Sequence, residues 1–256
     1  MPVRYLAAVL WLWLLPTLAA AAPFSALYVF GDSLSDTGNL AAIRGEFPAP
    51  FFRNRVTNGP VAVDVLAERL GLSAEASRYL VGRSAGGNYA VAGASARGND
   101  LIDLTSQVVV FLAHHGNDAP ADALYVVFVG GNDVRRARSE RDVVAANDII
   151  DGAASEVGDN VELLIRAGAR SLLVMNSPDV GLLPETRTLA QERSDPFLPQ
   201  RATQLSERYA AQLHRVLQRL QRQHADVWLQ EVDVYTTSRL IAQQPARFGI
   251  DNIADA

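Results

Sequence analysis

The chain has no cysteine, which excludes disulfides and thiolate metal sites and leaves the fold to rest on its core. No basic run offsets a formal net charge of -5, so the concentrated Lys and Arg that hold nucleic-acid phosphates are missing and no nucleic-acid partner is expected. Neither G-x-x-x-x-G-K-[ST] nor G-x-G-x-x-G occurs; a nucleotide binder of flavodoxin type would need such a phosphate loop. Internal repeats and low-complexity segments are absent, and beyond residue 22 no apolar run is long enough for a membrane-spanning helix.

What is present is the composition of a folded globular protein: 256 residues, 49% hydrophobic and 20% charged, read most simply as one α/β domain. The opening "MPVRYLAAVLWLWLLPTLAAAA" has Arg4 as a charged start, an apolar stretch from Leu6 to Leu18, and small residues from Ala19 to Ala22. That is the layout of a secretory signal peptide, with residues 23–256 as the exported domain. The expected location is the periplasm, the cell surface or the extracellular space. An uncleaved anchor is the other reading, against which stands an apolar stretch shorter than the roughly 20 residues a spanning helix needs.

Short β-rich runs recur at 26–30, 88–92, 124–129, 171–176 and 227–232, with longer helical patterns between them. In "PVAVDVLAERLGL", Pro60 suits a first helical turn and Gly71 an end. Around residues 201–223, Leu205, Tyr209, Leu213, Val216, Leu217 and Leu220 fall at spacings of three and four, the mark of an amphipathic helix. Five strands separated by helices imply a parallel sheet covered on both faces. Residues 40–59 and 177–200, rich in Pro, Arg and Asn, read as irregular surface loops.

In an open parallel sheet, ligands sit beyond the carboxyl ends of the strands. The stretch "VFGDSLSDTGN" puts Ser33 three residues after the first strand, Gly93 follows the second, and Asn132 follows the third. All three are expected to line one crevice. An exposed hydroxyl beside backbone N–H groups is what acyl transfer requires: a nucleophile, and donors for the oxyanion of the tetrahedral intermediate. Each residue also has a structural role open to it. Ser33 can cap a helix, Gly93 can take a positive φ in a turn, and Asn132 can form an Asx-turn. Asp32, Asp36, Asn39 and Asp133 read as loop-holding residues.

At these positions the sequence resembles the GDSL, or SGNH, ester hydrolases, especially their longer lipase-like branch of exported bacterial type. "FGDSLSDTGN" is similar to that family's first block, "NYAVAGASA" to its second and "VGGNDV" to its third. The resemblance implies a flavodoxin-like, three-layer, doubly wound α/β fold. It makes Ser33 the nucleophile, and the Gly93 N–H and Asn132 amide the oxyanion donors beside the Ser33 N–H. Turnover would pass through an acyl-enzyme on a small-molecule ester or lipid, with no metal or organic cofactor. Weaker similarities run through "RVTNGPVAVDVLAERLGL", "VMNSPDVGLLP" and "VDVYTTSRLIAQQPARFGIDNIADA".

A serine hydroxyl needs a base, which this family supplies as a C-terminal D-x-x-H. The chain contains no D-x-x-H, and its histidines, His114, His115, His214 and His224, all fit helix ends or flanks. His114 and His115 are also poor metal ligands, because neighbouring helical residues face different ways. "RFGIDNIADA" resembles the segment that shortly precedes the missing pair, so the expectation is a domain cut short before its catalytic Asp and His, nearly inert alone. Some exported members of this branch continue into an outer-membrane β-barrel. The competing reading is a catalytically incomplete acyl- or glycan-binding module on the same scaffold. Lipase, lysophospholipase, arylesterase and acetyl-glycan esterase all stay open. Phe47, Phe51, Phe52, Phe197 and Leu198 could line an apolar pocket or pack their loops. Oligomeric state is not legible.

Overall fold

The computed structural model describes residues 23–83 and 85–253; the leader assigned to residues 1–22 lies outside them. Among the described residues four strands form one parallel sheet: β1 (Leu27–Gly31), β2 (Leu124–Phe128), β3 (Ser171–Met175) and β4 (Trp228–Val232), in that spatial order. The register runs straight across, Leu27 opposite Leu124, Leu124 opposite Ser171 and Ser171 opposite Trp228.

The fifth expected strand, 88–92, is not one. It lies along the free edge of β1, where Tyr89 N–H donates to Val29 O at 2.7 Å and Val91 N–H to Gly31 O at 3.0 Å, but it pairs only as an isolated parallel bridge. The reason is competition for its backbone: Asn88 N–H goes to Glu75 O and Asn88 O accepts from Ser77 N–H. With this segment counted, the spatial order becomes 2-1-3-4-5, the flavodoxin-like winding whose direction reverses at β1.

Eight α-helices surround the sheet among the described residues: α1 (Asn39–Arg44), α2 (Ala62–Leu70), α3 (Leu104–His114), α4 (Gly131–Ala137), α5 (Val143–Ala167), α6 (Pro184–Glu192), α7 (Leu198–Gln223) and α8 (Val234–Gln243). Strand alternation sorts the core into two faces. Phe30, Tyr125, Val127, Leu172 and Val174 meet α3, α5 and α7, whose Phe111, Ile150, Val157 and Leu213 are fully buried. On the opposite face Leu27, Val29, Leu124 and Val126 pack on Val63 and Ala67 of α2. That second layer thins toward β4, where Trp228 is half exposed and α8 buries no residue.

The amphipathic α7 has its predicted buried stripe, Leu205, Tyr209, Leu213, Leu217 and Leu220. Gly71 ends α2 in the left-handed region at φ 67, while Val61 rather than Pro60 stands at its N-cap. Residues 177–200 are not the expected irregular loop: they hold a 3-10 turn, Val180–Leu182, and α6. Pro184 opens that helix, a position where its missing N–H has no partner to lose.

One buried side chain ties the end of β1 to the helical layer. Gln107 of α3 accepts from Gly31 N–H at 2.8 Å and donates to Gly31 O at 2.8 Å and Ile102 O at 2.6 Å. A Cβ on Gly31 would stand 2.1 Å from Phe128 O, so the glycine allows β1 and β2 to close up just before the serine turn. Replacing Gln107 with Leu strands the Gly31 N–H and the Ile102 carbonyl without water, and is expected to lower unfolding free energy by roughly 2–4 kcal/mol in urea denaturation. A loss below measurement error would show that water replaces the amide.

Candidate active site

Ser33 stands in the turn after β1, half-buried, with Asp32 beneath it. Asp32 organises that turn: its Oδ1 accepts from Leu34 N–H at 3.0 Å, and its carbonyl accepts from Ser35 and Asp36 N–H. Asp36, also buried, accepts from Gly38 and Asn39 N–H through Oδ1, and from Leu40 and Ala92 N–H through Oδ2. The last bond, at 2.9 Å, crosses to the residue before Gly93. Asn39 adds to it, its amide donating to Asn88 O and Ala90 O, both at 2.8 Å.

From the other side the same loop is held by the start of α4. Asp133 accepts from Ala96 N–H at 2.7 Å and Arg97 N–H at 3.0 Å, and Asn132 Nδ2 donates to Ala94 O at 2.7 Å. The Asn132 amide thereby stands beside Gly93, one of its two N–H bonds used and the other unassigned. Asn132 Oδ1 accepts from Arg135. Gly93 itself is exposed with φ +93, a conformation that favours glycine.

A census of donors separates a few groups from their neighbours. From Asp32 to Thr37 and from Ala90 to Arg97, every backbone N–H has an acceptor among the described residues except those of Ser33, Thr37 and Gly93, of which Thr37 is buried. Orphan N–H groups are uncommon in well-packed loops. Those of Ser33 and Gly93 are at two of the three positions singled out in the sequence, and both residues have access to solvent.

No histidine joins them. His114 Nδ1 meets Tyr89 OH at 3.1 Å, and His115 bonds Phe111 O and Tyr28 OH near the opposite, amino end of the sheet. His214 pairs with Glu231 at 2.6 Å on the outer flank of α7, and His224 caps that helix. The cavity of about 770 Å³ beside α4 and α7 is not lined by Ser33, Gly93 or Asn132. Of the loop phenylalanines, Phe47 packs on Phe51 at 5.7 Å between ring centroids and Phe197 is largely exposed, while Leu198 is buried.

Two of the carboxyl groups are displaced from their ordinary range. Burial, opposed by the Leu34 N–H and reinforced by the Asp133 charge, pushes Asp32 up to about 7. Burial also raises Asp133, against the pull of the Ala96 and Arg97 N–H groups and Arg136.

A parallel three-layer α/β sheet with these loops at its carboxyl end defines an SGNH-type ester-hydrolase scaffold. The chain belongs to the GDSL-like lipase/acylhydrolase family, whose model matches residues 27–251. It is 36% identical to Lipase 1 of Photorhabdus luminescens over 63% of this chain and 23% of that one. It is 31% identical to esterase EstA of Pseudomonas aeruginosa over 74% and 34%. With the phosphatidylcholine-sterol acyltransferase of Aeromonas hydrophila it shares 28% identity over 91% and 65%. The chain thus spans from about a quarter to two thirds of the length of these relatives. An acetylxylan esterase from Geobacillus stearothermophilus superposes with a TM-score of 0.48 at 16% identity, covering 87% of this chain and 82% of that one; an overlap this loose adds nothing to the assignment.

Sequence reasoning missed the supports behind the site. Asp103, which accepts from Ser95 and Asp100 N–H, and Gln107 carry no local signal. Asn88, whose amide donates to Ser35 O and Thr37 Oγ1, was quoted only as part of a block.

The raised Asp32 makes stability depend on pH. Its folded value of about 7 lies above the unfolded one near 4, so the folded state binds more protons between them and stability falls as pH rises through that window, then levels off. Asp32→Asn keeps the acceptor for Leu34 and cannot ionise. It is expected to melt above the parent at pH 8 and level with it at pH 4, by scanning calorimetry. A gap independent of pH would mean that Asp32 titrates as an ordinary carboxylate.

Proposed function

We propose that this domain carries the nucleophile and oxyanion hole of an exported carboxylic-ester hydrolase, the export resting on the leader pattern of residues 1–22. Ser33 Oγ attacks the acyl carbon. The Ser33 N–H, the Gly93 N–H and the free N–H of the Asn132 amide hold the oxyanion. A base takes the Ser33 proton and passes it to the departing alcohol, and water then releases the acid from the acyl-enzyme. The observation that carries this reading is the pair of unspent N–H groups at the solvent-accessible Ser33 and Gly93, each flanked on both sides by bonded N–H groups. Donors left free in this way cost nothing to reorganise when charge develops.

The Asp–His pair is not supplied by any described residue. The same fact favours a second reading, an acyl- or glycan-binding module whose serine is prepared but not activated. A fluorophosphonate and a short-chain nitrophenyl ester separate the two. Covalent capture at Ser33, abolished in Ser33→Ala, is expected from the chain, and ester turnover is expected once the Asp–His pair is present. Saturable ester binding without capture or turnover would instead support the module. In the active form, Asn132→Ala is expected to lower kcat about a hundred-fold or more with little change in KM; an unchanged kcat would remove Asn132 from the oxyanion hole.

A further inference from the structure

We propose that the cavity between the end of α4, the α6–α7 junction and the first turns of α7, together with the apolar cavity beside it, binds a single-chain amphiphile with an anionic head group. The proposal stands apart from Ser33 and its chemistry. The head-group cavity, about 770 Å³, is lined by Arg138, Arg141, Arg193 and Arg201 against Glu140 and Asp195. Four cations face two carboxylates, a surplus of two positive charges on a chain whose formal net charge is -5. Counting Glu185, which pairs with Arg138 from behind, the balance is still positive.

The arginines are not all engaged. Arg201 is tied to Asp195, whereas the guanidinium groups of Arg141 and Arg193 form no hydrogen bond or ion pair among the described residues, Arg193 acting on Asp195 only through its charge. Arg138 is a fixed part of the wall: its side chain is 3% exposed and its terminal nitrogens donate to Thr186 and Glu185, so anion binding falls to Arg141 and Arg193. An oxyanion held by Arg141 and Arg193 at the cavity wall is the ligand class that matches such forked donors.

The tail is argued from the second cavity. It measures about 320 Å³, shares Arg138, Glu140, Arg141 and Arg201 with the first, and continues into Ala137, Val143, Ala146 and Leu205, with Asn147, Gln204 and the Asp151-paired Arg208 at its edge. Its apolar side is open to solvent at Val143, which is 66% exposed. Cationic and apolar spaces that meet at the same arginines suit a head and a tail on one molecule better than free phosphate, which would leave the apolar half unused.

The probe is dodecyl phosphate below its critical micelle concentration, titrated calorimetrically into the chain; it contains no carboxylic ester, so the result is independent of hydrolysis. Saturable one-to-one binding is expected, equal in Ser33→Ala. It should weaken about ten-fold or more in the surface double variant Arg141→Ala/Arg193→Ala, and similarly in Val143→Asp, which sets a charge at the tail entrance where a helix N-terminus tolerates it. Inorganic phosphate binding as tightly would reduce the site to an anion site, and a neutral dodecyl glycoside binding as tightly would reduce it to an apolar slot. Either result overturns the proposal, as does no binding, or binding that ignores the arginines and depends on Ser33.

Discussion

The site depends on a loop that has no secondary structure of its own. Residues 92–97 are held because two buried carboxylates grip their backbone from opposite sides, Asp36 through Ala92 N–H and Asp133 through Ala96 and Arg97 N–H. Burying a carboxylate is unfavourable unless its oxygens are bonded, so each acid and the N–H groups it receives need one another. Because Asp36 belongs to the turn after β1 and Asp133 to the helix after β2, the loop cannot settle without bringing both strand ends together. The Gly93 N–H is left without a partner by the same arrangement, since Asp36 takes the N–H before it and the Val91 carbonyl the one after it.

The buried acids are not equally compensated, and this distinguishes their roles. Asp36 receives four N–H groups and Asp133 two, whereas Asp32 receives one, from Leu34. Asp32, the least compensated of the three, is pushed up to about 7, and burial raises Asp133 as well. Asp32 adjoins Ser33, where an added negative charge would oppose an oxyanion. Its protonated form, favoured below about pH 7, holds the turn without that repulsion, and its weak compensation costs stability at higher pH.

Much of this was legible because it is written at short range. Strand runs, the buried stripe of α7 and the three motif blocks depend on spacings within a dozen residues, and periodicity reports those. What escaped depends on distant partners. The run 88–92 has strand composition, yet Asn88 spends its backbone on Glu75 and Ser77, which no local pattern announces. Gln107 lies within an apolar helical run and looks like a polar interruption, but its partner Gly31 is 76 residues away. Residues 177–200 misled for a different reason: Pro184 was weighed as a loop former when it was a helix opener, and only its neighbours in space decide between those roles.

The lengths of the helices explain why the serine turn and the arginine cavity share one end of the molecule. α5 has 25 residues and α7 has 26, about 37–39 Å at the helical rise, whereas each strand has five residues and is about 17 Å long. α5 ends close to the start of β3, and α7 close to the start of β4, so nearly all the excess projects beyond the carboxyl ends. Their first turns form a wall there, and the seven-residue α4 bridges from Asn132 at its start to Arg138 at its C-cap. The bridge is chemical as well as spatial: Arg135 donates to Asn132 Oδ1 and pairs with Glu185, which also receives Arg138.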